Sequence, residues 1–221
     1  MKYGRKLSPE SLLDKFSPKF SYSKLIRSNL TSSQISDALK NVTGNSGVMK
    51  DIKPLLGNMV IGSAVTVKTD ADDWGTCVKA IDVAKKGEIL VIKVEGQDQA
   101  VWGELTSKTA REKGIICTII DGAVRDIGAI KELRYPVFSK NVVPNAGSPK
   151  AQGKINITIE CGDVTVNPGD IIAGDECGVV VIAKENLNDV IEEALNIKKK
   201  ENEIIRRIEK GDSLSSILGL K

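Results

Sequence analysis

Glu104, Arg125 and Asp126 are the residues of this chain whose types and spacing could act together as a chemical site. Glu104 stands in Gly103-Glu104-Leu105-Thr106, which reads as the opening of a helix. Arg125-Asp126 ends the run Ile119-Ile120-Asp121-Gly122-Ala123-Val124-Arg125-Asp126, read as the end of a buried strand, a turn at Asp121-Gly122, and a new helix from Asp126. Twenty residues separate Glu104 from Arg125, enough for one helix, one turn and one strand. Such a unit can bring both turns to the same edge of a sheet.

The chemistry follows from the residue types. The N–H groups of a first helical turn carry partial positive charge, so Gly103–Thr106, including Leu105, form a natural anion site. Arg125 adds a planar fork that matches a carboxylate in two hydrogen bonds. Asp126 is a hard oxygen ligand, and Glu104 can hold a metal-bound water or take a proton. Together they describe a site for a small anionic oxo-acid beside a divalent cation. The cation would polarise a carbonyl and stabilise an enolate as a C–C bond breaks. Plain structural roles stand beside this reading: Asp126 as a helix N-cap, Arg125 in a surface ion pair, Glu104 as a helix-dipole partner.

Composition narrows the chemistry. The chain has 221 residues and no histidine. Imidazole triads and His-ligated zinc are therefore excluded, and oxygen-only coordination suits Mg²⁺ or Mn²⁺. Cys77, Cys117, Cys161 and Cys177 form no C-x-x-C pair, so they are expected to be small buried side chains. A net charge of +3 from 32 basic and 29 acidic residues argues for neither nucleic acid nor an anionic membrane. No apolar run has the length of a membrane span, and the N-terminus lacks a signal-peptide stretch, so a cytoplasmic protein is expected. Neither G-x-G-x-x-G nor a P-loop occurs, and no Gly-rich loop suits S-adenosylmethionine.

The elements that must position the site follow from periodicity. Residues 1–28 read as a polar arm with one short helix near Pro9–Phe16. Thr31 and Gln34 form a capping box for a helix whose stripe is Ile35, Ala38 and Leu39, stopped by Gly44 and Gly47. Met59–Thr69 is apolar on both faces and hence a central strand. Asp72-Asp73-Trp74-Gly75 is a turn whose acidic pair caps a helix over Thr76–Ala84. Glu88–Val94 is a buried strand, 95–102 a loop, 104–113 a helix ended by Gly114, and Ile115–Ile120 a strand. Pro136–Phe138 is a short strand and Asn141–Gly153 a long loop. A helix-free block of strands runs from Ile155 to Ala183, with a strong turn at Asn167-Pro168-Gly169-Asp170. One long helix covers Glu185 to about Lys210. The class is α/β with an added β-layer. The expected divisions are an arm at 1–28, one domain at 29–184, and a C-terminal helix at 185–221 packing on that domain.

Ala100-Val101-Trp102-Gly103-Glu104-Leu105 with Asp121-Gly122-Ala123-Val124-Arg125-Asp126 resembles the family containing the regulator of ribonuclease activity A and the 4-hydroxy-4-methyl-2-oxoglutarate aldolases. Some members of that family carry the label demethylmenaquinone methyltransferase. Ser36-Asp37-Ala38-Leu39, Gly62–Val67, Pro168-Gly169-Asp170 and Gly174–Val181 extend the likeness over roughly residues 30–210. The family's aldolases carry an acidic residue, twenty residues, then Arg-Asp, often with Asp where this chain has Glu104. The resemblance implies a swivelling β/β/α fold and a ring-shaped homotrimer, sometimes a dimer of trimers, with sites between subunits. It implies a class II, divalent-metal aldolase that releases pyruvate from a 2-oxo acid, often with oxaloacetate decarboxylase activity. By position, Gly103–Thr106 would bind the pyruvate part through N–H groups. Arg125 would hold its carboxylate or enolate oxygen, Asp126 would bind Mg²⁺, and Glu104 would order the cation's waters. The family also implies an alternative, a non-catalytic regulator that binds a ribonuclease through its surface.

Overall fold

Residues 18–220 are described by a computed structural model, with side chains from Ser23 onward. The expected helix near Pro9–Phe16 lies outside these residues. The described chain begins with helix α1 (Pro18–Arg27). It is docked on the protein: Leu25 is buried, and the Lys198 ammonium donates to the carbonyls of Ser28 and Asn29 at 2.7 Å each.

Helix α2 (Ser32–Thr43) starts where the sequence places it. Thr31 Oγ1 accepts from the Gln34 N–H, Gln34 Oε1 accepts from the Thr31 N–H, and Gly44 ends the helix with φ of 81°. Its stripe Ile35, Ala38 and Leu39 is buried.

The sheet comprises β1 (Lys53–Pro54), β2 (Val60–Asp70), β3 (Glu88–Glu95), β4 (Ala100–Trp102), β5 (Cys117–Val124), β6 (Val137–Val142), β7 (Lys154–Ile155), β10 (Ile171–Asp175) and β11 (Gly178–Ile182). Its order is β1-β6-β5-β3-β2-β10-β11, with β4 on β5 and β7 on β2. Neighbours among β6, β5, β3 and β2 are parallel; β10, β11 and β1 are antiparallel to theirs. The segment before β1 joins the two ends of the sheet: Val48 bridges to Val180 on β11, while Lys53 and Pro54 pair with β6. The sheet thus curls into a nearly closed, barrel-like form. A small hairpin, β8 (Ile159–Cys161) with β9 (Val164–Val166), covers its interior, where Cys161 and Val166 are buried.

Closure explains why the central strands are apolar on both faces. Along β3 and β5, Ile89, Val91, Cys117 and Ile119 point into the interior cluster. Leu90, Ile92 and Ile120 point outward under α3 (Gly75–Val83), α4 (Glu104–Lys113) and α5 (Ile127–Leu133). A third cluster seats α1, α2 and α6 (Leu187–Glu209) on β10 and β11 through Leu39, Ala173, Ile182 and Ile191. The short helix α7 (Leu214–Ile217) follows, with Ser213 as its cap. No helix among the described residues is long and apolar enough to cross a membrane.

Four expectations change. Asp121-Gly122 is not a turn: β5 runs on to Val124, buried throughout. Gly122 is there for close packing, since a Cβ would stand 2.5 Å from Val94 Cγ2. Residues 100–102, expected as loop, form β4, too short to show a period. Of the strands after 155 only the β8–β9 hairpin is a layer of its own, because β10 joins the main sheet beside β2 and carries β11 with it. Cys77, Cys117 and Cys161 are buried as expected, and burial pushes their thiols up, Cys161 to about 12, whereas Cys177 is exposed.

Candidate active site

Strands β4 and β5 end together, and this creates the site. Ala100 pairs with Ala123 and Trp102 with Val124 in parallel register. The Arg125 N–H then donates to the Trp102 carbonyl at 3.0 Å. Gly103 follows β4 directly and opens α4, and Arg125 follows β5, with Asp126 after it opening α5. Two helix starts and the Arg-Asp pair therefore meet at one sheet edge.

The contacts there are close. Asp126 Oδ2 accepts from the Glu104 N–H at 3.2 Å, and Arg125 Nε lies 3.4 Å from the same oxygen. Asp126 has φ of 58°, a left-handed turn that Asp tolerates better than most residues, and its carboxylate makes no N-cap bond to its own helix. Asp126 thus stands at the N-cap position without its side chain capping α5, and the carboxylate instead faces α4. Gly103 has an ordinary extended backbone, so its need is steric: a Cβ would stand 2.5 Å from Asp126 Oδ2 and 3.1 Å from Arg125 Cγ. Thr106 Oγ1 accepts from the Gly103 N–H and donates to the Gly103 carbonyl, both at 3.0 Å. The N–H groups of Leu105 and Thr106 have no intrahelical acceptor.

These residues line an open cleft. Its polar side is Gly103, Glu104, Thr106, Arg125 and Asp126. Its apolar side is Trp74, Ala100, Val101, Trp102, Leu105 and Ala146. Glu104, Arg125 and Asp126 are solvent-exposed, so each can meet a ligand without unfolding. The structure brings together every residue the sequence reading placed in the site.

Sequence reasoning missed the apolar side, above all Trp74 and the loop that holds it. Asp73, expected with Asp72 to cap the next helix, does accept from its first N–H but is also a buried hub. Its carboxylate accepts from the N–H groups of Gly75, Ala151 and Gln152 at 3.0, 2.7 and 2.8 Å, and from Thr76 Oγ1 at 2.8 Å. Burial alone would raise its pKa, but these donors prevail and hold it at about 2. Trp74 Nε1 donates to the Gly147 carbonyl at 3.1 Å. The Asp72 carbonyl accepts from the Ser148 N–H at 2.8 Å. The loop after β6 is thereby stitched to the turn before α3, and Ala146 and Trp74 become one wall. Trp102 is fixed separately, its Nε1 donating to Ser107 Oγ at 2.8 Å.

The donor set sets the terms for a cation. Among the described residues no three His, Cys, Asp or Glu side chains are arranged to hold a metal. Asp126 and Glu104 offer carboxylates at one cleft and nothing softer. That fits Mg²⁺ or Mn²⁺, which bind through one or two carboxylates and retain water, and does not fit a fully protein-enclosed ion.

Comparison with known proteins agrees with this architecture. The model of the RraA-like family, described as aldolase/RraA, matches residues 32–181. An uncharacterized protein of Methanocaldococcus jannaschii is 48% identical over 178 residues, covering 78% of this chain and 85% of that protein. A protein of Halalkalibacterium halodurans, provisionally named 4-hydroxy-4-methyl-2-oxoglutarate aldolase, is 38% identical over 169 residues, covering 76% of this chain and 78% of that protein. The crystal structure of an uncharacterized Pseudomonas syringae protein superposes with a TM-score of 0.78 at 27% identity, covering 90% of this chain and 96% of that one.

Proposed function

The chain belongs to the RraA-like family, and on that premise we propose that it is a divalent-metal-dependent lyase that cleaves a C–C bond of a 2-oxo acid and releases pyruvate. The observation that carries the proposal is the convergence of Arg125, Asp126 and the first turn of α4 on one edge of the cleft. The name of the Halalkalibacterium relative supports the reaction class.

In this reading Arg125 binds the carboxylate of the 2-oxo acid through its fork. The N–H groups of Leu105 and Thr106 point toward oxygen that gains charge as the bond breaks. The apolar wall limits water near the developing carbanion. Asp126 would hold Mg²⁺ or Mn²⁺, and Glu104, at the cleft rim, would order water beside it. When bound, the cation supplies a Lewis acid for the keto oxygen. Oxaloacetate decarboxylation belongs to the same proposal, because losing CO₂ leaves the same three-carbon unit in the same place.

The proposal includes a ring-shaped homotrimer, doubled in some assemblies. Pyruvate release from oxaloacetate and from 4-hydroxy-4-methyl-2-oxoglutarate, with Mg²⁺ and after chelation, tests the function. Metal-dependent release supports it. A folded protein that releases none overturns it and favours the surface-binding ribonuclease regulator, for which capture of a ribonuclease is the check.

A further inference from the structure

The apolar half of the cleft has no role in holding the carboxylate, the keto group or a cation, yet it is built with care. Trp74 is half-buried against the core, and its indole N–H is already used by the Gly147 carbonyl. The ring therefore offers the cleft an apolar surface rather than a donor. Ala146, next to the Gly147 that holds the ring, also lines the cleft and adds a second apolar side chain. The remaining wall, Ala100, Val101 and Trp102, is buried and apolar, and the Trp102 indole N–H is committed to Ser107. Arg125 is the one cation lining the cleft among the described residues. One carboxylate is thus served by charge, and an apolar substituent can meet the Trp74 ring.

We propose that Trp74 is a specificity-determining residue, seating an apolar substituent of the 2-oxo acid beyond its carboxylate end, and that Asp73 is the positioning residue that fixes it. This rests on the reading of the cleft as a 2-oxo acid site. Asp73 is 2% exposed and acts at a distance of one residue. Its carboxylate holds the N–H groups of Ala151 and Gln152 on one side and those of Gly75 and Thr76 Oγ1 on the other. Without that clamp the loop that carries Ala146 keeps its Gly147 and Ser148 bonds to the turn but loses those at Ala151 and Gln152, so the Trp74 ring is fixed less firmly. The substrate class is a 2-oxo acid with an apolar branch beyond the keto group, as in the 4-methyl of 4-hydroxy-4-methyl-2-oxoglutarate, in preference to one without it, such as oxaloacetate.

The test is calorimetric binding in Mg²⁺ of pyruvate and of 4-methyl-2-oxopentanoate, which differ only in an apolar branch. The wild-type protein is expected to favour the branched acid about tenfold, the scale of a filled apolar pocket. Trp74→Ala should collapse that ratio toward one, Trp74→Phe should retain most of it, and Asp73→Asn, if folded by circular dichroism, should reduce it. An unchanged ratio in Trp74→Ala, or no preference in the wild type, overturns the proposal while leaving the site reading intact. Failure of both acids to bind wild-type protein overturns the site reading itself, and the proposal with it.

Discussion

Asp126 Oδ2 lies 3.2 Å from the backbone nitrogen of Glu104, so a carboxylate of α5 sits on the first turn of α4. An anion at that position is stabilised by the helix dipole and by the N–H it accepts from. The relationship sets two demands on Asp126: it stabilises α4, and in the proposed reaction it must also serve a cation. Asp126→Asn keeps the shape and removes the charge. It should lower pyruvate release about 100-fold, and lower stability by no more than about 1 kcal/mol. Steady-state assay and urea unfolding separate the two effects.

Gly103→Ala tests the same contact from the other side. The added methyl would stand 2.5 Å from Asp126 Oδ2 and 3.1 Å from Arg125 Cγ. Its backbone is extended, so an alanine there has no intrinsic strain. The expected result is a folded protein with activity lowered at least tenfold, because the Arg-Asp pair is pushed aside. Unchanged activity would mean that the positions of these two side chains do not matter.

Asp73 gives stability a definite dependence on pH. Its folded pKa of about 2 lies below the ordinary 3.8. A depressed carboxylate contributes stability that is complete above the unfolded value and is lost as pH falls through the folded one. The contribution is on the order of 2 kcal/mol, and it should disappear between about pH 4 and pH 2. Asp73→Asn should be less stable at pH 7 and show a flatter stability curve across that window. Denaturant titrations at several pH values check both statements.

Much of this was legible in the chain. The capping box at Thr31 and Gln34, the central strand over Met59–Thr69 and the helix opening at Gly103 rest on local rules, and local rules were obeyed. The pairing of Gly103-Glu104 with Arg125-Asp126 was legible because one β-α-β passage separates them. Gly122 misled, because a glycine that makes room for Val94 looks the same in sequence as one that makes a turn. The apolar wall was not legible. It depends on Asp73 meeting Ala151 and Gln152, and on Trp74 meeting Gly147, pairs more than seventy residues apart with no periodic signature.

Gly122→Ala follows from that correction. A methyl 2.5 Å from Val94 Cγ2 overpacks two adjoining strands, at a cost of about 1–3 kcal/mol. Thermal unfolding should show the loss. Combining it with Val94→Gly should recover part of the packing loss, since the added methyl would meet both Cγ2 and the Cβ at 2.6 Å of that side chain. If Gly122 served a turn instead, Val94→Gly would give no rescue.

Arg125→Ala, assayed for pyruvate release from oxaloacetate and from 4-hydroxy-4-methyl-2-oxoglutarate beside the wild type, with Mg²⁺ and after chelation, tests the central claim most directly. Turnover by the wild-type protein is expected to need the cation and to fall at least 100-fold in the variant, which loses its carboxylate fork. Turnover that survives Arg125→Ala, or a folded wild-type protein that releases no pyruvate from either acid, would contradict it.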